Sequence, residues 1–195
     1  MKKRSAVIKR TTKETSIAIS LDLDRPGKVS IATSIPFMDH MLTLFASHGA
    51  FGLTITASGD THIDDHHLVE DLGIALGQAL DRAVGDKKGI FRYGNFLLPM
   101  DEALAYVALD LSGRPFLNYD VPFAVRRSGF DFGLVEEFFS ALAVNARMTL
   151  HLRMIKGKNN HHIAESLFKG FGRALAQAVS VNRKQTGIPS TKGRL

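Results

Sequence analysis

One stretch of this chain is written twice. Residues 66–84, HHLVEDLGIALGQALDRAV, align without a gap on residues 161–179, HHIAESLFKGFGRALAQAV, at an offset of 161 − 66 = 95. His66 meets His161, His67 meets His162 and Glu70 meets Glu165. The agreement continues through apolar and small positions: Leu72 with Leu167, Gly77 with Gly172, Leu80 with Leu175 and Val84 with Val179. A match of this kind marks a duplicated unit. Two copies cannot stack into a solenoid, so each half must bury its apolar face against another layer, and the other half is the natural cover.

Both copies read as helices, because Leu72, Leu76, Leu80 and Val84 recur every four residues, as do Leu167, Phe171 and Leu175. Asp64 or Asp65 can cap the first helix and Asn159 or Asn160 the second. Each helix follows an alternating strand, FGLTITASG or MTLHLRMIKG, and each strand follows a further helical stretch, FMDHMLTLFASHG or FGLVEEFFSALAVNA. Earlier in each half come strands expected to pair: TSIAISLDLD with KVSIATSI, and ALAYVALDLSG with PFLNYDVPFAV. Turns at 25–27 and 113–115 separate them. The predicted fold is α+β, with strand-strand-helix-strand-helix given twice and helices on one face of each sheet. The halves are placed at residues 1–90 and 91–195, with glycine and charge clustering between 85 and 95.

At 195 residues and 45% hydrophobic content the chain can bury an ordinary core. There is no cysteine, which excludes disulfides and thiolate chemistry, so any metal must be held by nitrogen and oxygen. No apolar run reaches the length of a membrane span, and MKKRSAVIKR lacks the apolar segment of a signal peptide. The cytoplasm is the expected location. A net charge of +6 favours an anionic partner. That partner could be nucleic acid, a membrane surface or a small phosphorylated or carboxylated metabolite; the scattered basic residues and the absence of tryptophan argue against nucleic acid. Lys2, Lys3 and Arg4 read as a solvated terminus.

The histidine pairs carry the chemistry. Positions i and i+4 share a helix face, so His66 with Glu70, and His161 with Glu165, can each grip one ion. His67 and His162 point about 100° away and could reach a second ion or one bound by the other half of the duplication. Adding His40 and His151 gives two sets in chain order: His40, His66, His67 and Glu70, then His151, His161, His162 and Glu165. Six imidazoles and two carboxylates without sulfur suit Mn, Fe, Co or Zn with open positions for substrate. Surface histidines with capping acids are the plainer reading of a single such motif; its repetition among matched core positions favours metal. Arg92, Arg114 and the loop GIPSTKGRL with Ser190, Thr191 and Lys192 offer donors for a phosphate. Lys169, four residues after Glu165, lies on the metal-facing side of its helix. The ligand set alone would also permit a dinuclear phosphoester hydrolase or a metal-storing shell.

The residues also resemble a known family. RTTKETSI, PFMDHML, SHGAFGLTITASGDTHIDDHHLVEDLGIALGQAL, GIFRYG, PMDEALAYVALDLSGRP, GKNNHHIAESLFKGFGRAL and PSTKG resemble the imidazoleglycerol-phosphate dehydratases of histidine biosynthesis from end to end. The resemblance implies a duplicated α+β fold, a homo-oligomer of 24 subunits with active sites where neighbours meet, and two Mn2+ ions per active site. It implies a hydro-lyase that converts D-erythro-imidazole glycerol phosphate to imidazole acetol phosphate through a metal-stabilised imidazolate. By motif, the manganese ligands are His40, His66, His67, Glu70, His151, His161, His162 and Glu165. Substrate contacts fall to Glu14, His40, His48, Arg92, Arg114, Lys169, Ser190, Thr191 and Lys192. Chemistry falls to Glu14 with His66, Glu70, His161 and Glu165, Glu14 being the proton-handling group. Thr43, Leu44, Leu68 and Gly133 depart from the family's usual residues.

Overall fold

The structure, a computed structural model, describes residues 3–124 and 129–195; Lys2 and Val125 lie outside the described residues. The first half runs β1 (Ser5–Thr11), β2 (Thr15–Asp22), β3 (Val29–Ala32), α1 (Pro36–Gly49), β4 (Gly52–Gly59) and α2 (His66–Val84). The second repeats that order as β5 (Tyr93–Met100), β6 (Ala103–Asp110), β7 (Phe116–Asp120), α3 (Leu134–Asn145), β8 (Thr149–Lys156) and α4 (Asn160–Val179). Each half forms a four-stranded sheet of the same topology, β1-β2-β4-β3 and β5-β6-β8-β7. The α+β duplication is therefore present in three dimensions.

Two details differ from the sequence reading. A further strand, β1 or β5, opens each half and pairs antiparallel with the next strand. The strands expected to pair, β2 with β3 and β6 with β7, are separated by β4 and β8. Leu53 stands opposite both Leu21 and Val29, and Leu150 opposite both Leu109 and Leu117. The reason is the intervening helix: α1 carries the chain from β3 to a parallel neighbour, β4, and parallel strands require such a crossover.

Along β2, Ile17, Ile19 and Leu21 are buried while Ser16, Ala18 and Ser20 are exposed, the alternation of a sheet covered on one face. The cover is helical: α2 lies on β1 and β2, α4 on β5 and β6, and the helices then pack across the halves, α1 on α4 and α2 on α3. Six fully buried phenylalanines fill this interior, with Phe45 stacked on Phe171 at 5.2 Å and Phe139 against Phe168 at 4.9 Å. The matched glycines of the repeat explain how close the helices come. A Cβ on Gly77 would sit 2.7 Å from the Leu142 carbonyl oxygen of α3, and one on Gly172 would sit 2.5 Å from the Phe45 carbonyl oxygen of α1. Only a residue without a side chain fits either crossing.

Arg4 is not solvated as the sequence suggested. Its Nε donates to Asp24 Oδ1 at 2.9 Å and its Nη1 donates to the Val179 carbonyl, fastening the start of the chain to the end of α4. That bond to Arg4 holds the Asp24 carboxyl below its ordinary range.

Candidate metal and substrate site

The first turns of α2 and α4 are built alike. Asp64 Oδ1 accepts the His66 N–H at 2.9 Å, and Asn159 Oδ1 accepts the His161 N–H at 2.9 Å. Each satisfies an orphan donor of its helix. In both pairs the adjacent imidazole planes stand at 86° to one another, so neighbouring rings face different directions, as the helical spacing requires. His40 is set by another device. Pro36 opens α1 and Asp39 reaches back to the Thr33 N–H at 2.7 Å, fixing the helix start next to α4.

Helix packing then joins residues 125 positions apart. His40 Nε2 lies 3.0 Å, and His161 Nε2 2.9 Å, from the same oxygen, Glu165 Oε1. One ligand atom from each of these three residues lies within 4.8 Å of the others. Lys169 Nζ pairs with the second oxygen, Oε2. Burial would raise the Glu165 pKa, but Lys169, His40 and His161 together hold it at about 2, so the carboxylate is ionised. His48, further along α1, is pushed below its ordinary value by burial first and then by Lys169 and Arg173.

Within one chain, His40 of the first half lies with His161 and Glu165 of the second. Glu70 is exposed. His66 borders a separate cavity of about 320 Å³ with Asp64, Asp65 and Asp131. His67 Nδ1 lies 3.0 Å from Asp60 Oδ2 and 4.0 Å from Glu14 Oε2, and the Asp60 bond raises its pKa. His162 Nδ1 lies 2.7 Å from Glu102 Oε2; this pairing raises the imidazole and lowers Glu102 to about 2. His151 is exposed on β8, with its ring 5.9 Å from that of Phe116.

A second locus gathers the phosphate-type donors. Arg92, Arg114, Ser190, Thr191 and Lys192 line one cleft of about 610 Å³, joined by Arg194. Arg92 is buried and held in place by Asp110 through Nε at 2.6 Å and Nη2 at 2.9 Å, while Nη1 donates to the Pro189 carbonyl at 2.8 Å. Donors remain on Arg114 and Lys192, both exposed in the cleft wall. The sequence reading missed three carboxylates that orient site residues: Asp60 on His67, Glu102 on His162 and Asp110 on Arg92. Their signal was weak, since an acid beside a glycine, in a turn or at a strand end, as Asp60, Glu102 and Asp110 are, is ordinarily solvated.

The sequence profile of the imidazoleglycerol-phosphate dehydratase family matches residues 33–175. The imidazoleglycerol-phosphate dehydratase of Endomicrobium trichonymphae is 62% identical over 195 residues, covering all of both chains, and that of Desulforamulus reducens is 58% identical over 196 residues, again covering all of both. The chain belongs to the imidazoleglycerol-phosphate dehydratase family. Solved dehydratases share its fold. That of Pyrococcus furiosus has a TM-score of 0.85 at 41% identity, covering 96% of this chain and 100% of its own. That of Staphylococcus aureus has 0.82 at 43%, covering 91% and 99%. Family membership makes the chain a hydro-lyase enzyme that acts by dehydration in histidine biosynthesis. Among the described residues no helix is long and apolar enough to cross a membrane.

The four positions that depart from the family pattern all have structural employment. Leu68 is fully buried, Leu44 packs against the core, the Thr43 hydroxyl donates to the Asp39 carbonyl at 2.7 Å, and the Gly133 N–H donates to Asp131 Oδ1 at 2.9 Å before α3.

Proposed function

We propose that the chain converts D-erythro-imidazole glycerol phosphate to imidazole acetol phosphate in the cytoplasm, with two Mn2+ ions per active site. One observation carries this reading: the His40, His161 and Glu165 ligand atoms, contributed by both halves, converge to within 4.8 Å. Two imidazole nitrogens and an ionised carboxylate oxygen, without sulfur, fit a divalent first-row cation and leave coordination positions open. His66, His67, Glu70, His151 and His162 are the remaining donors. In an assembly of 24 subunits, neighbouring copies would bring them to the same pockets.

His40, His161 and Glu165 would hold such an ion, and its positive charge would make the substrate's imidazole a stronger N–H acid and would stabilise the imidazolate form. The chain's own residues supply the rest. Glu14, exposed at the β1–β2 turn and 4.0 Å from His67, takes the proton from the glycerol carbon, while the neighbouring hydroxyl departs. Hydroxide and one proton leave as water, the second proton returns to the ring nitrogen, and the enol left behind becomes the ketone. Arg114, Ser190, Thr191 and Lys192 hold the phosphate, with Arg92 stiffening the cleft wall and Lys169 and His48 flanking the metal triad. The Arg92 N–H bonds the Ala178 carbonyl near the end of α4 whereas His161 stands in its first turn, so one substrate would meet both the cleft and the triad only where neighbouring copies adjoin.

Dialysis against a chelator should abolish turnover and Mn2+ should restore it; a metal-free preparation working at full rate would refute the metal reading. Lys192→Ala should raise KM for the phosphorylated substrate about tenfold or more with kcat little changed. An equal loss with a dephosphorylated analogue would remove the phosphate from that cleft.

A further inference from the structure

The duplication places Glu14 and Glu102 at twin positions. Glu14 immediately precedes β2 in the β1–β2 turn and Glu102 immediately precedes β6 in the β5–β6 turn, 102 − 14 = 88, the offset that also relates the strand starts Thr15 and Ala103. Their neighbours His67 and His162 are twins as well. Yet the two glutamates are used differently. Glu102 Oε2 lies 2.7 Å from His162 Nδ1, and its Oε1 accepts the N–H groups of Asn159 at 2.8 Å and Lys158 at 3.3 Å. Glu14 stands 4.0 Å from His67 Nδ1 with its side chain 55% exposed. The partner of His67 is instead Asp60, at 3.0 Å and 14% exposed. Asp60 follows the last residue of β4, and the residue following β8 is Gly157, which has no carboxylate to offer. Each half thus supplies one carboxylate to Nδ1 of its second histidine, from a different place.

We propose that Asp60 and Glu102 are positioning residues: they hold His67 and His162 as Nδ1–H tautomers with Nε2 free to bind a cation, and Asp60's part in this leaves Glu14, 4.0 Å away, outside hydrogen-bonding distance of His67 and open to the substrate. The inference rests on the metal reading above. A neutral imidazole that donates its Nδ1–H to a carboxylate presents an unprotonated Nε2, and the same bond fixes the ring's orientation. The open side is available. Asp101 Oδ2, at 3.8 Å from His162 Nε2, is beyond hydrogen-bonding distance. Asp60 has no competing task, since its Oδ1 is buried with no hydrogen-bond partner among the described residues.

The test compares full-length wild type with Asp60→Ala, Glu102→Ala, Asp60→Asn, Glu102→Gln and Glu14→Gln. Mn2+ affinity is read by titration against free-ion EPR, imidazole nitrogen couplings to bound Mn2+ by pulsed EPR, and folding by thermal melts. Both alanine variants should bind Mn2+ about 10–100-fold more weakly and lose imidazole coupling. The Asn and Gln variants, which keep volume and an acceptor oxygen, should lose less than about tenfold. Glu14→Gln should bind Mn2+ as wild type does. Glu102 also ties down backbone N–H groups, so a lower melting temperature alone supports nothing; wild-type affinity and couplings in both alanine variants would overturn the proposal. Should an alanine variant not fold, the same position is replaced by Leu, which keeps bulk and offers no acceptor, and wild-type affinity and couplings in the folded Leu variant would overturn it equally. A Glu14→Gln loss as large as that of Glu102→Ala would overturn the division of roles. Wild type that binds no Mn2+ would sink the metal reading itself, an outcome distinct from all of these.

Discussion

Adding one methyl group at Gly172 tests how packing builds the site. An alanine Cβ there would stand 2.5 Å from the Phe45 carbonyl oxygen and 3.0 Å from the Gly49 nitrogen, both backbone atoms of α1 that cannot rotate away. An ordinary carbon–oxygen contact is about 3.3 Å, so α1 and α4 must separate by roughly 0.8 Å. Overpacking of this kind costs about 1–3 kcal/mol, here toward the upper end, while alanine returns about 1 kcal/mol in helix propensity. The net expectation for Gly172→Ala is a loss of about 1–2 kcal/mol in urea denaturation. The same separation would stretch His40–Glu165, now 3.0 Å, beyond hydrogen-bonding reach, so Mn2+ affinity should fall as well. Gly77→Ala is the internal control. It meets the Leu142 carbonyl oxygen at 2.7 Å and should destabilise by a similar amount, but the α2–α3 crossing carries none of the His40, His161 and Glu165 cluster. A stabilised Gly172→Ala protein, showing the propensity gain alone, would refute the packing argument. Equal Mn2+ loss in both variants would refute its link to the site.

Asp71, 7% exposed, accepts from Arg10 at 2.9 and 2.7 Å and takes the Thr15 hydroxyl on its other oxygen, clamping α2 to the sheet. Asp71→Ala takes away the carboxylate acceptor of the buried Thr15 hydroxyl, leaving it only the Thr12 hydroxyl at 3.2 Å, and leaves Arg10 without its partner, so it should cost about 1–3 kcal/mol in urea denaturation; a change below about 0.5 kcal/mol would contradict the clamp. In metal-free protein, the Glu165 pKa of about 2 against an ordinary 4.5 means the folded state holds this proton less tightly than the unfolded one. Its stabilisation is complete above the ordinary value and disappears as pH falls from 4.5 toward about 2. Denaturant titrations across that window should show wild type losing stability more steeply than Glu165→Gln, and parallel curves would refute it.

What the sequence determined by itself was local and repeated. Apolar residues every four positions revealed α2 and α4, alternation revealed β2, β4, β6 and β8, and the doubled histidine pairs marked both first turns, because each signal is complete within one element. The quoted motifs also sufficed to place the chain in its family. The opening strands were harder to read. In β1 only Ala6 and Ile8 are buried, and β5 carries Gly94 and Pro99, which suit a sheet edge but weaken a strand pattern. Strand order was also out of reach, since whether β2 meets β3 or β4 depends on where α1 deposits the chain. Tertiary structure alone decided that His40 meets His161 and Glu165 while His66 and Glu70 stand apart. That meeting spans 125 residues and depends on two helix backbones touching at Gly172, and such a contact leaves no periodicity in the sequence.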